Sequence, residues 1–316
     1  MGSIDRYGKW LVRRVNSLKP KTLEGKIGSI TIQLKMITDK QSNFVYLSNL
    51  FEQRCPKEYR QLKHWFEKLK IENATLPNTK DLWVVDFMPL QIREDSFIQF
   101  EYNPDYLKSK KDLLTKTDPE MVCLKLGIVP DKANIVLDGG NIVKSSTKVI
   151  ITTKVFKVNP DFLENDLIAA IKKQLQVNQV IVIPQEPKDF VGHADSMVRF
   201  IDEETVVINQ YPTIKAYQDF GYAFRWSLRN AGLHYIELPY TSWQNRDEND
   251  ATGCYINFLE VGKTIFYPVF AQHEDQLAFI QLRNAFKDRE VIDIDCRELA
   301  KRGGVLNCAT WNILKR

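Results

Sequence analysis

The stretch GGVLNCATWNILKR, Gly303 to Arg316, closes the chain. It holds a polar motif around Cys308, one short apolar run, and then no more residues. The fold turns on what that last run pairs with. Four earlier places show the succession that is interrupted here. Short runs rich in β-branched and aromatic residues read as buried strands: DLWVVD from Asp81, ANIVLD from Ala133, QVIVIP from Gln179 and HYIELP from His234. Each is followed by a polar motif and then by a hairpin, the hairpins containing SFIQF, KVIITTKVF, TVVINQY and TIFYPVF. A fifth run, EVIDID from Glu290, leads to the Cys308 motif and WNILKR without a hairpin to follow.

The strand starts recur at intervals of about 45 to 56 residues, which is the signature of a repeated supersecondary unit. A helix-like stretch precedes each strand, starting at Pro56, Asp105, Pro160, Pro212 and Glu274. Ile168, Ile171 and Leu175 fall at i, i+3 and i+7, as do Tyr217, Phe220 and Phe224, and Phe279, Leu282 and Phe286. Pro160 and Pro212 suit a first helical turn, and Gly127 and Gly232 suit helix stops. The unit is therefore helix, strand, polar motif and two further strands. SITIQLKMI and NFVYLSN near the N-terminus can complete the fifth unit. First and last elements then share a sheet, and closure removes exposed strand edges. The expectation is one α/β domain over residues 1–316, a ring of five units. No Gly/Ser/Pro-rich linker divides it.

Composition excludes several classes. The chain is 44% hydrophobic and 27% charged, ordinary for a globular protein, and its net charge of +4 is small for 316 residues. Nucleic acid is not an expected partner; the short KSKKD near Lys110 reads as a solvated helix face. No run approaches the roughly 18 apolar residues of a membrane span, and no signal-peptide core is visible. Five cysteines without a CxxC pair fit a reducing compartment, and a cytoplasmic location is expected. Four histidines, none paired on a helix, lack the spacing of a zinc site, and no metal is expected.

In a ring of equivalent units the polar motifs converge near the axis. They bring Asp86, Asp138, His193, Asp195, Asn257 and Cys308 toward a common centre. Taken singly, each has a bland role: a buried thiol, a core histidine, Asp residues capping loops. Together they form a set. Clustered carboxylates need a cation or a proton. A guanidinium, a planar fork of N–H donors, fits paired carboxylates. A thiolate above that plane faces an electrophilic carbon, and no metal is required.

The motifs WVVDFMP, DGGN, GHADSMVRF, CYINF and GGVLNCATWN resemble the signature blocks of the agmatine deiminase and bacterial-type peptidylarginine deiminase family. The resemblance runs in order from about Trp83 to Asn312, most of the chain. It implies the pentein fold, a five-bladed α/β propeller, and a hydrolase that converts a guanidine to a ureido product and ammonia. It further implies Cys308 as nucleophile, His193 as general acid/base, Asp86 and Asp195 as guanidinium clamps, and Asp138 as the group orienting His193. No cofactor is implied. Trp83, Gly140, Asn141, Arg199, Asn257 and Trp311 are expected around the substrate, with Trp83 and Trp311 as candidate walls. A small guanidine such as agmatine is the expected partner, and self-association is compatible with the sequence. Free or peptide arginine as substrate, amidine transfer to an amine, and a silent guanidine- or protein-binding propeller are the alternatives. Three positions depart from the family pattern: Val85 where Arg is usual, Asn307 where His is usual before the nucleophile, and Trp311–Asn312 where Gln is usual.

Overall fold

The computed structural model describes residues 35–316. Five three-stranded sheets make up a five-bladed α/β propeller. In the first blade β1 (Phe44–Ser48) and β2 (Glu72–Leu76) run parallel, joined by the helix Pro56–Leu69. The second holds β3 (Leu90–Arg93), β4 (Ser96–Glu101) and β5 (Asp131–Val136). The third holds β6 (Val143–Lys144), β7 (Lys148–Thr152) and β8 (Gln179–Ile183). The fourth holds β9 (Val198–Phe200), β10 (Thr205–Asn209) and β11 (His234–Leu238). The fifth holds β12 (Leu259–Val261), β13 (Thr264–Val269) and β14 (Glu290–Asp295). In blades two to five the first two strands pair antiparallel and the third is parallel to the second. Parallel neighbours need a crossover. The helices Pro119–Leu126, Glu164–Leu175, Lys215–Asn230 and Glu274–Ala285 supply it.

The last apolar run finds its partner at the other end of the chain. β15 (Thr310–Ile313) lies antiparallel to β1, with Phe44 opposite Ile313 and Tyr46 opposite Trp311. NFVYLSN thus completes the first blade, and the ring closes. Of SITIQLKMI, Ser29–Leu34 lie outside the described residues. Lys35, Met36 and Ile37 form no strand; Met36 and Ile37 instead donate backbone N–H groups to Ser146 O and Ile92 O.

Several local expectations need correction. DLWVVD is not a strand: Val84–Phe87 is a helical turn, and the strand is the polar ENATL of β2. β2 is mostly accessible to solvent, so it carries little apolar signal, whereas the Val84 turn is apolar because it is buried at the centre. The stretch from Asp105 holds only the single turn Lys110–Leu113. The crossover helix there begins at Pro119, with Asp118 Oδ1 accepting from the Glu120 N–H at 3.0 Å, and it stops at left-handed Gly127. Helices Glu164–Leu175 and Lys215–Asn230 begin after Pro160 and Pro212, which stand in the preceding loops. KVIITTKVF leaves the sheet at Thr152 and continues as the helical turn Lys154–Val158.

Each helix buries one stripe against its neighbours: Leu62 and Phe66 in the first, Leu167, Ile171 and Leu175 in the third, Tyr217, Phe220 and Phe224 in the fourth. Phe66 meets Phe266 edge-on at 5.5 Å, so the first and fifth blades pack as one core. At the closure, Trp311 packs on Tyr46 at 5.3 Å and on Phe97 of the second blade at 6.1 Å, and its Nε1 donates to Pro89 O at 2.9 Å. Trp311→Ala removes a buried aromatic from the seam joining the chain's two ends. The expected loss is about 3–5 kcal/mol of stability, read as a lowered midpoint in urea unfolding at unchanged slope.

Candidate active site

The motif segments are short turns, and each turn sets its side chains. Asp86 lies on the turn Val84–Phe87. Asp138 precedes the single turn Gly139–Asn141, and His193 precedes the turn Ala194–Ser196, which carries Asp195. His193 and Asp195 are therefore not two residues on one strand face. The turn sends them to different partners, and both still line the cavity that Cys308 faces. Close approach requires glycine at two points. A Cβ on Gly140 would stand 2.6 Å from both Asp86 Oδ1 and His193 Nδ1. A Cβ on Gly304 would stand 2.7 Å from the Trp83 ring and 3.1 Å from Cys308 Cβ.

Around the axis the polar groups touch in sequence. His193 Nε2 is 3.0 Å from Asp138 Oδ2, and Nδ1 is 3.4 Å from Asp86 Oδ1. Gly140 N–H donates to Asp86 Oδ1 at 3.1 Å. On the other side, Asp195 Oδ2 accepts from Asn307 Nδ2 at 2.7 Å, from Asn257 Nδ2 at 3.0 Å and from the Cys308 thiol at 3.6 Å. Cys308 N–H donates to Asn257 Oδ1 at 3.2 Å. Asp195 Oδ1 and Asp138 Oδ1 are buried without a hydrogen-bond partner among the described residues. Unpaired buried carboxylate oxygens are costly and call for a donor from outside the protein.

The electrostatics follow from burying three carboxylates beside one imidazole. Burial, aided by Asp138 and Asp195, pushes Asp86 up to about 8, with the imidazole opposing. Burial disfavours charge on His193, but Asp86, Asp138 and Asp195 outweigh it and raise the imidazole to about 10. Burial and the charges of Asp195 and Asp86 push the Cys308 thiol well up. A thiolate beside an imidazole is the arrangement expected from the motifs. Here the thiol instead donates to a carboxylate, and no hydrogen bond among the described residues joins it to His193. A cation bound between the carboxylates would reverse the repulsion and favour the thiolate.

With that geometry in place, comparison with known proteins is informative. The model of the Porphyromonas-type peptidyl-arginine deiminase family matches residues 29–313. The chain belongs to this family. A family relative in Photobacterium profundum, provisionally named an agmatine deiminase, is 24% identical over 224 residues, 61% of this chain. That match spans 62% of the relative, so the chain covers less than two thirds of its length. Agmatine deiminase from C. jejuni superposes with a TM-score of 0.72 at 19% identity, over 89% of this chain and 96% of that one. The Enterococcus faecalis agmatine deiminase gives 0.69 at 16%, over 90% and 96%. At such identities the likeness is one of fold, the pentein fold.

Among residues expected at the site, Asp86, Asp138, Gly140, His193, Asp195, Asn257 and Cys308 are brought together. Trp83 stands beside Cys308 at Gly304. Asn141 is buried with Oδ1 accepting from Thr152 N–H at 2.9 Å, which ties its turn to β7. Arg199 turns its guanidinium to Phe258 O, Asn307 and Asp39. Trp311 sits in the core between blades. The motif reading missed Asn307 as a partner of Asp195, although it adjoins the nucleophile. It also missed Tyr106, whose ring meets His193 edge-on at 6.3 Å and Phe190 at 6.1 Å. Tyr106 comes from a loop with no motif to mark it.

Of the five cysteines only Cys308 is not buried. Burial pushes Cys55 and Cys123 up to about 11, and Cys254 and Cys296 well above the ordinary thiol range. Chloroacetamidine, a cation shaped like a guanidinium, is expected to alkylate Cys308 first. Peptide mapping checks this, and earlier modification of any other cysteine contradicts it.

Proposed function

We propose that this protein hydrolyses a small guanidine to a ureido compound and ammonia, with Cys308 as the nucleophile. The observation that carries the reading is the Asp195 carboxylate: one oxygen is held by protein donors beside the Cys308 sulfur, and the other is buried and unpaired. A guanidinium N–H supplies the missing donor, and Asp86, 3.4 Å from His193, is assigned as the second carboxylate. The family to which the chain belongs and its agmatine deiminase relatives support the same chemistry.

The reaction follows from these positions. The bound cation lowers the cost of the thiolate, and the thiol proton passes to solvent in the cavity. Sulfur attacks the guanidinium carbon. His193, held as an imidazolium by Asp138 and Asp86, protonates the departing nitrogen as the C–N bond breaks and ammonia leaves. The remaining thiouronium is attacked by water. The now neutral imidazole accepts the water's proton. The C–S bond breaks as the added hydroxyl gives its proton to solvent, the thiolate returns, and the neutral ureido product departs.

The rest of the cavity favours a substrate with a cationic tail. Its volume is about 120 Å³, and Glu186, Asp189, Asp247, Glu248 and Asp250 line it against one lysine, Lys188. Phe190 and Trp243 offer apolar walls for a methylene chain. An amine-tailed guanidine such as agmatine suits this mouth, whereas the α-carboxylate of arginine meets like charge. Ammonia and ureido product should form from agmatine at kcat/KM at least about tenfold above that for arginine, a difference of roughly 1.4 kcal/mol. Cys308→Ala should form neither product. A panel of guanidines assayed for both products decides the matter, and no turnover of any guanidine contradicts the proposal.

The pH dependence has a definite sign. Asp86 is raised to about 8, so below that pH it holds a proton that the cation must displace. The kcat/KM should rise as pH climbs toward 8, by up to about tenfold per unit. Asp86→Asn should lower kcat/KM and flatten that limb. A wild-type limb retained in Asp86→Asn removes Asp86 from the clamp.

A further inference from the structure

We propose that Asp39, Arg199 and Asn307 form a positioning relay that sets the orientation of the Asp195 carboxylate, and that Arg199 acts through this relay instead of touching substrate. The inference rests on the guanidine reading above and assigns residues to the same site.

The relay is continuous, buried at Arg199, Asn307 and Asp195 and partly exposed at Asp39. Asp39 Oδ2 accepts from Arg199 Nη2 at 2.9 Å, Arg199 Nη1 donates to Asn307 Oδ1 at 2.8 Å, and Asn307 Nδ2 donates to Asp195 Oδ2 at 2.7 Å. Arg199 Nη1 also donates to Phe258 O at 2.9 Å, and its guanidinium lies over the Phe258 ring at 4.7 Å. The Arg199 side chain is 5% exposed. Burial alone would raise the Asp39 carboxyl, but Lys144, 3.3 Å away, and Arg199 more than offset it and hold the pKa low. The far end of the relay is therefore a fixed ion pair.

The chemistry of the amide makes this arrangement directional. An arginine only donates and an ionised carboxylate only accepts. Asn307 can satisfy both neighbours in one orientation alone, with its oxygen on Arg199 and its NH₂ on Asp195. Asn257 is constrained the same way, since its oxygen takes the Cys308 N–H and its NH₂ faces Asp195. Two amides thus hold Asp195 Oδ2 and leave Oδ1 open. Without Arg199 the buried Asn307 Oδ1 loses its donor, and the amide is held only through its bond to Asp195. The relay also faces a second cavity of about 380 Å³ lined by Asp39, Arg199 and Asn307; Asp195 is the one residue lining both it and the cavity at Cys308. Asn307, one of the departures from the family pattern, is what lets a neutral side chain link Arg199 to the clamp.

The test compares two alkylating agents at Cys308. Chloroacetamidine is a cation that needs the clamp, and iodoacetamide is neutral and does not. Rates are measured on wild type, Arg199→Met, Asn307→Asp and Asp39→Asn, with thermal unfolding as a check on folding. In Arg199→Met the ratio of cationic to neutral labelling should fall by about tenfold or more, and KM for the guanidine should rise more than kcat falls. Asp39→Asn should give a smaller fall of the same kind. Asn307→Asp keeps a partner for Arg199 but sets a second carboxylate against Asp195. Its cationic labelling should shift to higher pH by about one unit or more, because like charge makes Asp195 hold a proton. Arg199→Met that folds with an unchanged ratio overturns the relay. If Arg199→Met does not fold, Asn307→Asp with an unchanged ratio and pH profile overturns it. Wild type without preference for the cation overturns the guanidine reading instead. The relay is then judged by iodoacetamide alone, whose pH profile Asn307→Asp should still shift upward, and no shift rejects it.

Discussion

Three carboxylates and one imidazole share a buried space at the propeller axis, and the rest of the structure is arranged around that imbalance. Asp86, Asp138 and Asp195 cannot all be ionised away from water with only His193 to answer them. The excess is met by retained protons, which is why Asp86 and His193 are both raised. On the proposed reading, a guanidinium would meet it by charge instead. The thiol of Cys308 is disfavoured as an anion by the same field and becomes favoured when the field is neutralised.

The propeller makes such crowding possible because no single element has to supply it. Each blade ends a parallel strand at the axis and sends in one short turn. The turns differ in content: a carboxylate on a helical turn, a glycine pair, a histidine followed by a carboxylate, an amide, a thiol. A repeated backbone unit is combined with side chains that differ from turn to turn, carboxylates recurring at three of them. Closure adds rigidity, since β15 bonds to β1 and holds the Cys308 segment between the two ends of the chain. The amides Asn257 and Asn307 then both donate to one oxygen of Asp195 and leave the other without a partner among the described residues.

Much of this was legible in the residues. Strands such as QVIVI and TVVIN carry their own signal because neighbouring blades bury them. The cluster at the axis was legible because each motif sits at the same point of its unit. Where the signal failed, the cause was local. ENATL is a mostly accessible strand with polar residues, and Trp83–Val85 is apolar because a helical turn is buried. The helix at Pro119 had its cap, its proline and its terminal glycine in plain view, while the charged stretch after Asp105 drew the eye with a weaker pattern.

The sequence by itself determined the repeat, the ring it requires, and the residue types gathered at the axis, because periodicity and strand-to-motif order are properties of neighbours along the chain. Only the tertiary structure decided which oxygen of Asp195 lacks a partner among the described residues, that Cys308 meets a carboxylate and not the imidazole, and that Arg199 bonds to Asn307. Arg199 lies 160 residues from Asp39 and 108 from Asn307. Hydrogen-bond direction depends on which donor meets which acceptor in space, and no spacing along the chain encodes that.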